Sequence, residues 1–171
     1  AELEAEGAVR GHVVLVPAAN PIGLAQHLNG THHGRFAFSD GMNFNRGYPD
    51  LARQAGDAVE ARLTDDASAN QALVRAALKG ALAARHPVKP AECLKHLLLM
   101  QALDADIVLD LHCDGEGEVH LYVLTGHEEA FQPLADVLGA KAMLVAELSG
   151  DNPFDEAVSR PWRELALRFP D

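Results

Sequence analysis

Hydrophobic and polar positions along the chain change period several times, and each change marks an element. Residues 1–8 are helix-favouring with no capping residue before them, which predicts the tail of a helix. Val13-Val14-Leu15-Val16 is a short apolar run closed by Pro17, Asn20 and Pro21, and predicts a buried strand. Residues 50–85 turn helical. Ala58, Ala61 and Leu63, then Leu73, Ala76, Ala77, Leu78 and Leu82, recur at helical spacing, with Asp65 or Asp66 as the cap of the second helix. Pro87 and Pro90 break this pattern. Pro90 suits the first turn of another helix, with Leu94, Leu97, Leu98 and Ala102 on its inner face. Ile107, Val108, Leu109 and Leu111 read as a buried strand, and residues 119–124 and 142–145 as two more. Helices are predicted over 128–138 and 155–169, the latter anchored by Trp162, Leu165 and Leu167. Strands alternating with helices predict a single α/β domain over residues 1–171, with a mainly parallel mixed sheet flanked by helices.

Between the first strand and the first helix pair, residues 17–49 show no period. Gly30, Gly34, Gly41 and Gly47 punctuate them as loop residues do. A loop of this length in a compact domain is usually functional or disordered, and this one carries Arg35, Asp40, Asn43, Asn45 and Arg46.

Composition narrows the field. Hydrophobic residues make up 48% of 171, enough for a proper core. The net charge of −11 argues against nonspecific binding to nucleic acid or to an anionic membrane. Leu97-Leu98-Leu99-Met100 is the strongest apolar run and is far short of a membrane span. The N-terminus has no signal pattern, and Cys93 and Cys113 have no framework spacing, so a reducing cytoplasm is expected.

Chemistry concentrates in two stretches. Where the strand at 105–114 runs out of apolar residues it presents Asp110, His112 and Asp114, which alternation places on one face. The carboxyl end of a central strand is where open α/β sheets place their sites. His112 reads either as a metal ligand with carboxylates beside it or as a lone hydrogen-bonded histidine. In the second stretch, Asn43 to Pro49, the Arg46 fork and the Asn45 amide can grip a carboxylate. In isolation, a solvated loop arginine beside an Asx-turn is the plainer reading. His32-His33, His120 and His127 read as loop, strand-face and helix-start histidines. Asp114, Glu116 and Glu118 read as a solvated turn, and Cys113 as a packed thiol on the face opposite His112.

Taken together in order, Pro17-Ala18-Ala19-Asn20-Pro21, Asn45-Arg46-Gly47-Tyr48-Pro49 and Asp110-Leu111-His112 resemble the succinylglutamate desuccinylase/aspartoacylase family of the zinc carboxypeptidase clan. The resemblance covers essentially the whole chain. It implies a zinc-carboxypeptidase-like fold and a zinc-dependent deacylase acting on the amide or ester bond of an N-acyl amino acid or similar small carboxylate. By the same resemblance His112 is the last of three zinc ligands, Asn45 and Arg46 grip the substrate carboxylate, Arg35 is a second substrate arginine, and Asp110 is a neighbour of the metal.

The departures shape the expectation. The family's first two ligands come from a His-x-x-Glu motif upstream of the Pro-Ala-Ala-Asn-Pro strand, and this chain contains no His-x-x-Glu. Glu147 in Glu147-Leu148-Ser149-Gly150 matches only superficially the setting of the family's general base, and residues 151–171 resemble the segment before that base. The chain therefore reads as the middle of a catalytic domain, incomplete at both ends, and these residues alone as a non-catalytic α/β domain. An alternative reading of Asp110, His112 and Asp114 is a dinuclear metallohydrolase site, though it explains neither of the other two motifs.

Overall fold

A computed structural model describes residues 5–113 and 116–170. A short helix α1 (Pro21–Ala25) is followed by a hairpin of β1 (His27–Leu28) and β2 (Thr31–His32). Then come α2 (Ala52–Val59), a 3-10 turn (Glu60–Arg62), α3 (Ala67–Ala83) and α4 (Pro90–Ala102). The chain continues through β3 (His120–Leu124), α5 (Glu128–Leu138), β4 (Ala142–Ala146) and α6 (Phe154–Arg168).

Local chemistry accounts for most of these boundaries. Asn20 caps α1 by accepting from the Gly23 N–H at 2.8 Å, with Pro21 in the first turn. Asp66 caps α3 through the Ser68 and Ala69 N–H groups at 2.9 and 3.1 Å. Pro90 opens α4, and Gly139 closes α5 at φ 65°, a left-handed conformation that costs glycine little. Asn29 and Gly30, at φ 50° and 78°, form the two-residue turn between β1 and β2. The irregular stretch at 17–49 thus contains a small helix and a hairpin.

The main core lies among helices. Leu51, Ala55 and Val59 from α2 and its approach meet Val74, Leu78 and Leu82 of α3, Leu99 of α4, and Ala157 and Leu165 of α6. The buried stripe of α2 is Leu51, Ala52, Ala55, Gly56 and Val59, so Ala58 and Ala61 face outward, contrary to the sequence-based expectation. Gly56 lets α6 approach: a Cβ there would meet Arg168 Nη1 at 2.5 Å and Leu165 Cδ2 at 3.1 Å. Arg168 crosses above it to Asp57 and Glu60, each at 2.8 Å. On α4 the inner stripe is Ala91, Lys95, Leu99 and Ala102; Leu97 is 60% exposed. On α6, Leu165 is buried and Trp162 packs against the core as expected, whereas Leu167 faces solvent.

The hairpin of β1 and β2 is antiparallel, and the second two-stranded sheet is parallel. β3 and β4 pair from His120 opposite Ala142 to Leu124 opposite Ala146, with α5 as the crossover. The expected strands at 13–16 and 105–111 run without regular strand pairing among the described residues. Leu15, Ile107 and Leu111 are 77%, 70% and 82% exposed. A strand needs a ladder partner for its N–H and C=O groups, and apolar composition alone does not supply one. No described helix is long and apolar enough to cross a membrane.

Candidate active site

The loop from Asn43 to Tyr48 is pinned at both ends by its own aromatic side chains. Phe44 is buried with Ala37 and Ala91, and Tyr48 is buried in the main core. Asn45, Arg46 and Gly47 span the gap between these two apolar clusters, and Gly47 takes φ 67° to make the turn. Asn43 Oδ1 accepts from the Asn45 N–H at 2.9 Å, the local Asx-turn expected here.

Distant residues then lock the loop. The Gly47 N–H donates to Asp151 O at 2.6 Å and the Tyr48 N–H to Asn152 O at 3.0 Å. Asn152 Nδ2 returns a bond to Tyr48 O at 2.6 Å. Asp151 and Asn152 reach these positions at φ 59° and 48°, a left-handed conformation that Asp and Asn tolerate better than other residues with side chains. Lys95 Nζ donates to Arg46 O at 2.5 Å from the inner face of α4.

The side chains converge from three parts of the chain. Asn45 Oδ1 accepts from the Phe154 N–H at the start of α6, 3.0 Å away. That bond assigns the amide orientation and turns Nδ2 towards His112 Nε2, 3.5 Å away and 67 residues on. His112 Nε2 lies 2.9 Å from Asp110 Oδ2. The shorter contact assigns the tautomer: Nε2–H donates to the carboxylate and Nδ1 keeps its lone pair, so the Asn45 amide is a neighbour of Nε2 without a hydrogen bond to it. Asp110 and His112 thus share a face, as alternation predicts, although no ladder holds them. Asp114 lies outside the described residues, and with it the dinuclear reading.

Arg46 Nη1 donates to Asn45 O at 2.6 Å, and among the described residues no carboxylate pairs with its guanidinium. Tyr48 packs on Phe154 at 5.5 Å between ring centroids. Its phenol is pushed far above the usual tyrosine range by burial first and by the nearby Asp110 charge second. Lys95 sits 5.7 Å from the centre of the Tyr48 ring; burial lowers its ammonium below the usual lysine range, against the opposing pull of Glu92 and Asp40.

Other expected site residues lie apart from this cluster. Arg35 stacks 5.9 Å over Phe36 and lines an open cavity of about 550 Å³ with His32, His33 and Phe38. Its backbone is next to the loop, since Arg35 O accepts from the Phe44 N–H at 3.1 Å. Glu147 pairs with Arg163 of α6 at 2.8 Å, and no described contact joins it to Asn45, Arg46 or His112. Cys113 is exposed rather than packed, because the segment that carries it is not covered on either face. The described residues contain no group of three His, Cys, Asp or Glu side chains placed to hold a metal; His112 fits as a single ligand backed by Asp110. Lys95 and Asn152 escape a motif-based reading. Their available signals are the position of Lys95 in the Ala91, Leu99 stripe and the Asp151-Asn152-Pro153 turn sequence.

No curated protein sequence matches the chain. Solved structures do, among them two named for the succinylglutamate desuccinylase/aspartoacylase family. One is from Shewanella frigidimarina NCIMB 400, at 29% identity and TM-score 0.76 over 88% of this chain and 41% of its own. The other is from Shewanella amazonensis SB2B, at 29% identity and TM-score 0.74 over 90% of this chain and 43% of its own. The chain thus spans less than half the length of either. A profile of the succinylglutamate desuccinylase/aspartoacylase catalytic domain matches residues 2–165, which include the Asn45-Arg46 loop and the Asp110-x-His112 segment. With the fold and this match in agreement, the chain belongs to the succinylglutamate desuccinylase/aspartoacylase family.

Proposed function

We propose that the protein is a zinc-dependent deacylase that hydrolyses the amide or ester bond of an N-acyl amino acid or similar small carboxylate. The observation that carries this reading is the meeting of Asn45, beside Arg46, with His112 and Asp110 across 67 residues of sequence. The two names in the family's description, a desuccinylase of succinylglutamate and an acylase of aspartate derivatives, support an acidic N-acyl amino acid as the substrate class.

In this reading His112 holds zinc together with ligands outside the set described, and Asp110 keeps the imidazole in the tautomer that leaves a lone pair for the metal. When bound, zinc supplies Lewis acidity and an open coordination position. Arg46 presents its fork to the substrate carboxylate, and Asn45 borders the space between that clamp and His112. Fixing the carboxylate on a braced loop orients the scissile carbonyl before attack, so binding at the remote end contributes to rate. No base is assigned to Glu147, since its carboxylate is engaged by Arg163.

Hydrolysis of N-succinyl-L-glutamate and of an N-acyl-L-aspartate by the full-length protein tests the reading. Arg46→Ala should lower kcat/KM about 10–100-fold, the size of a charge-assisted hydrogen bond of about 1.5–3 kcal/mol. Arg46→Lys should not restore it, because an ammonium cannot reproduce the fork. Lys79→Ala is the control: among the described residues Lys79 pairs with the exposed Asp104. Near-normal efficiency in Arg46→Lys would refute the clamp.

A further inference from the structure

Lys95 is one of two charged residues buried among those described, 4% exposed on the inner stripe of α4. A lysine between Ala91 and Leu99 on an apolar stripe needs a reason, since burial of an ammonium without a carboxylate partner is costly. No carboxylate among the described residues lies within ion-pair distance of it. Its polar partner is the Arg46 carbonyl at 2.5 Å, and its other neighbour is the Tyr48 ring face. Arg46 O points to Lys95 from a loop whose Phe44 and Tyr48 side chains are both buried, and a carbonyl turned away from water requires a donor. The Lys95 chain is long enough to reach that carbonyl from a helix.

We infer that Lys95 is a positioning residue for the carboxylate clamp: its ammonium fixes the Arg46 peptide. The inference rests on the functional reading of Arg46 given above. The other long-range braces on the loop bond Phe44, Asn45, Gly47 and Tyr48, so among the described contacts Lys95 is the long-range brace on Arg46 itself. Its effect should appear in substrate binding and pass through Arg46.

Lys95→Met keeps the length and apolar stem of the side chain while removing donor and charge. In the full-length protein, two readouts are taken. Hydrogen exchange should show the Gly47 and Tyr48 amides opening at least about 10-fold more often, with amides of α3 unchanged. With N-succinyl-L-glutamate as the probe, KM should rise about 10-fold with kcat within about 2-fold, since the brace affects binding more than chemistry. In an Arg46→Ala background Lys95→Met should add nothing further to KM, and Lys95→Arg should recover part of the loss. Uniform loosening of all amides, or an unchanged loop, overturns the inference. So does a KM effect of Lys95→Met that persists at full size without Arg46. If the probe is not turned over, or Arg46→Ala leaves KM unaltered while the loop loosens as expected, the reading of Arg46 as a clamp fails, and the role of Lys95 in binding fails with it.

Discussion

At the scale of the residue, the site is a set of side chains whose orientations are fixed by bonds to something else. The Asn45 amide is set by the Phe154 N–H, the His112 tautomer by Asp110, and the Arg46 peptide by Lys95. Tyr48 closes the floor of the loop as a buried neutral phenol. Its pKa is raised in the fold, so its contribution to stability is whole below the unfolded value of about 10 and is lost as pH rises past it towards the higher folded value. Tyr48→Phe removes that titration. The stability difference between wild type and Tyr48→Phe, followed by urea unfolding, should shift in favour of the variant above about pH 10. A difference independent of pH between about 8 and 11 would contradict the burial of the phenol. Asn45, Arg46 and His112 were legible as candidates in the sequence because they sit in compact motifs. Lys95 and Asn152 were not, because their roles are contacts with backbone atoms far along the chain, which no local pattern records.

At the scale of the element, helices were the more legible class. Their caps and prolines are local, and Asp66 and Pro90 mark boundaries that the structure keeps. Which face turns inward was less legible on α4, where Leu94, Leu97, Leu98, Leu99 and Met100 leave the apolar stripe ambiguous. In the structure Lys95 and Leu99 face inward and Leu97 faces solvent. Leu78→Ala, at a fully buried position on α3, should cost about 2–5 kcal/mol. Leu97→Ala should change stability by no more than about 0.5 kcal/mol. Chemical denaturation measures both, and a Leu97 effect equal to that of Leu78 would mean the α4 face is assigned wrongly. The strands at 13–16 and 105–111 differ for another reason. An apolar run reports a tendency to be buried, but a strand exists only with a neighbour, and neighbours are set by the whole chain.

At the scale of the whole molecule, two bodies of structure meet at the site. The helical core of α2, α3, α4 and α6 carries the Asn45-Arg46 loop on its rim, and the segment after α4 brings Asp110 and His112 to it. α6 serves both, since its core side packs Ala157 and Leu165 while its first N–H orients Asn45. This arrangement makes His112 separable from the core: its side chain is exposed, its described hydrogen-bond partner is Asp110, and Asn45 lies beside it. Loss of His112 should therefore affect metal and leave the fold. The most direct test is zinc content, measured by elemental analysis on the full-length protein after dialysis, with melting curves on metal-free samples, because bound metal itself raises stability. Wild type should retain one zinc per chain. Asp110→Asn should bind it about 10–100-fold more weakly. His112→Ala should retain none, with unchanged secondary structure and an apo melting temperature equal to that of apo wild type. A His112→Ala protein that still carries stoichiometric zinc, or whose apo form melts well below apo wild type, would contradict the assignment of His112 as a metal ligand and the deacylase reading built on it.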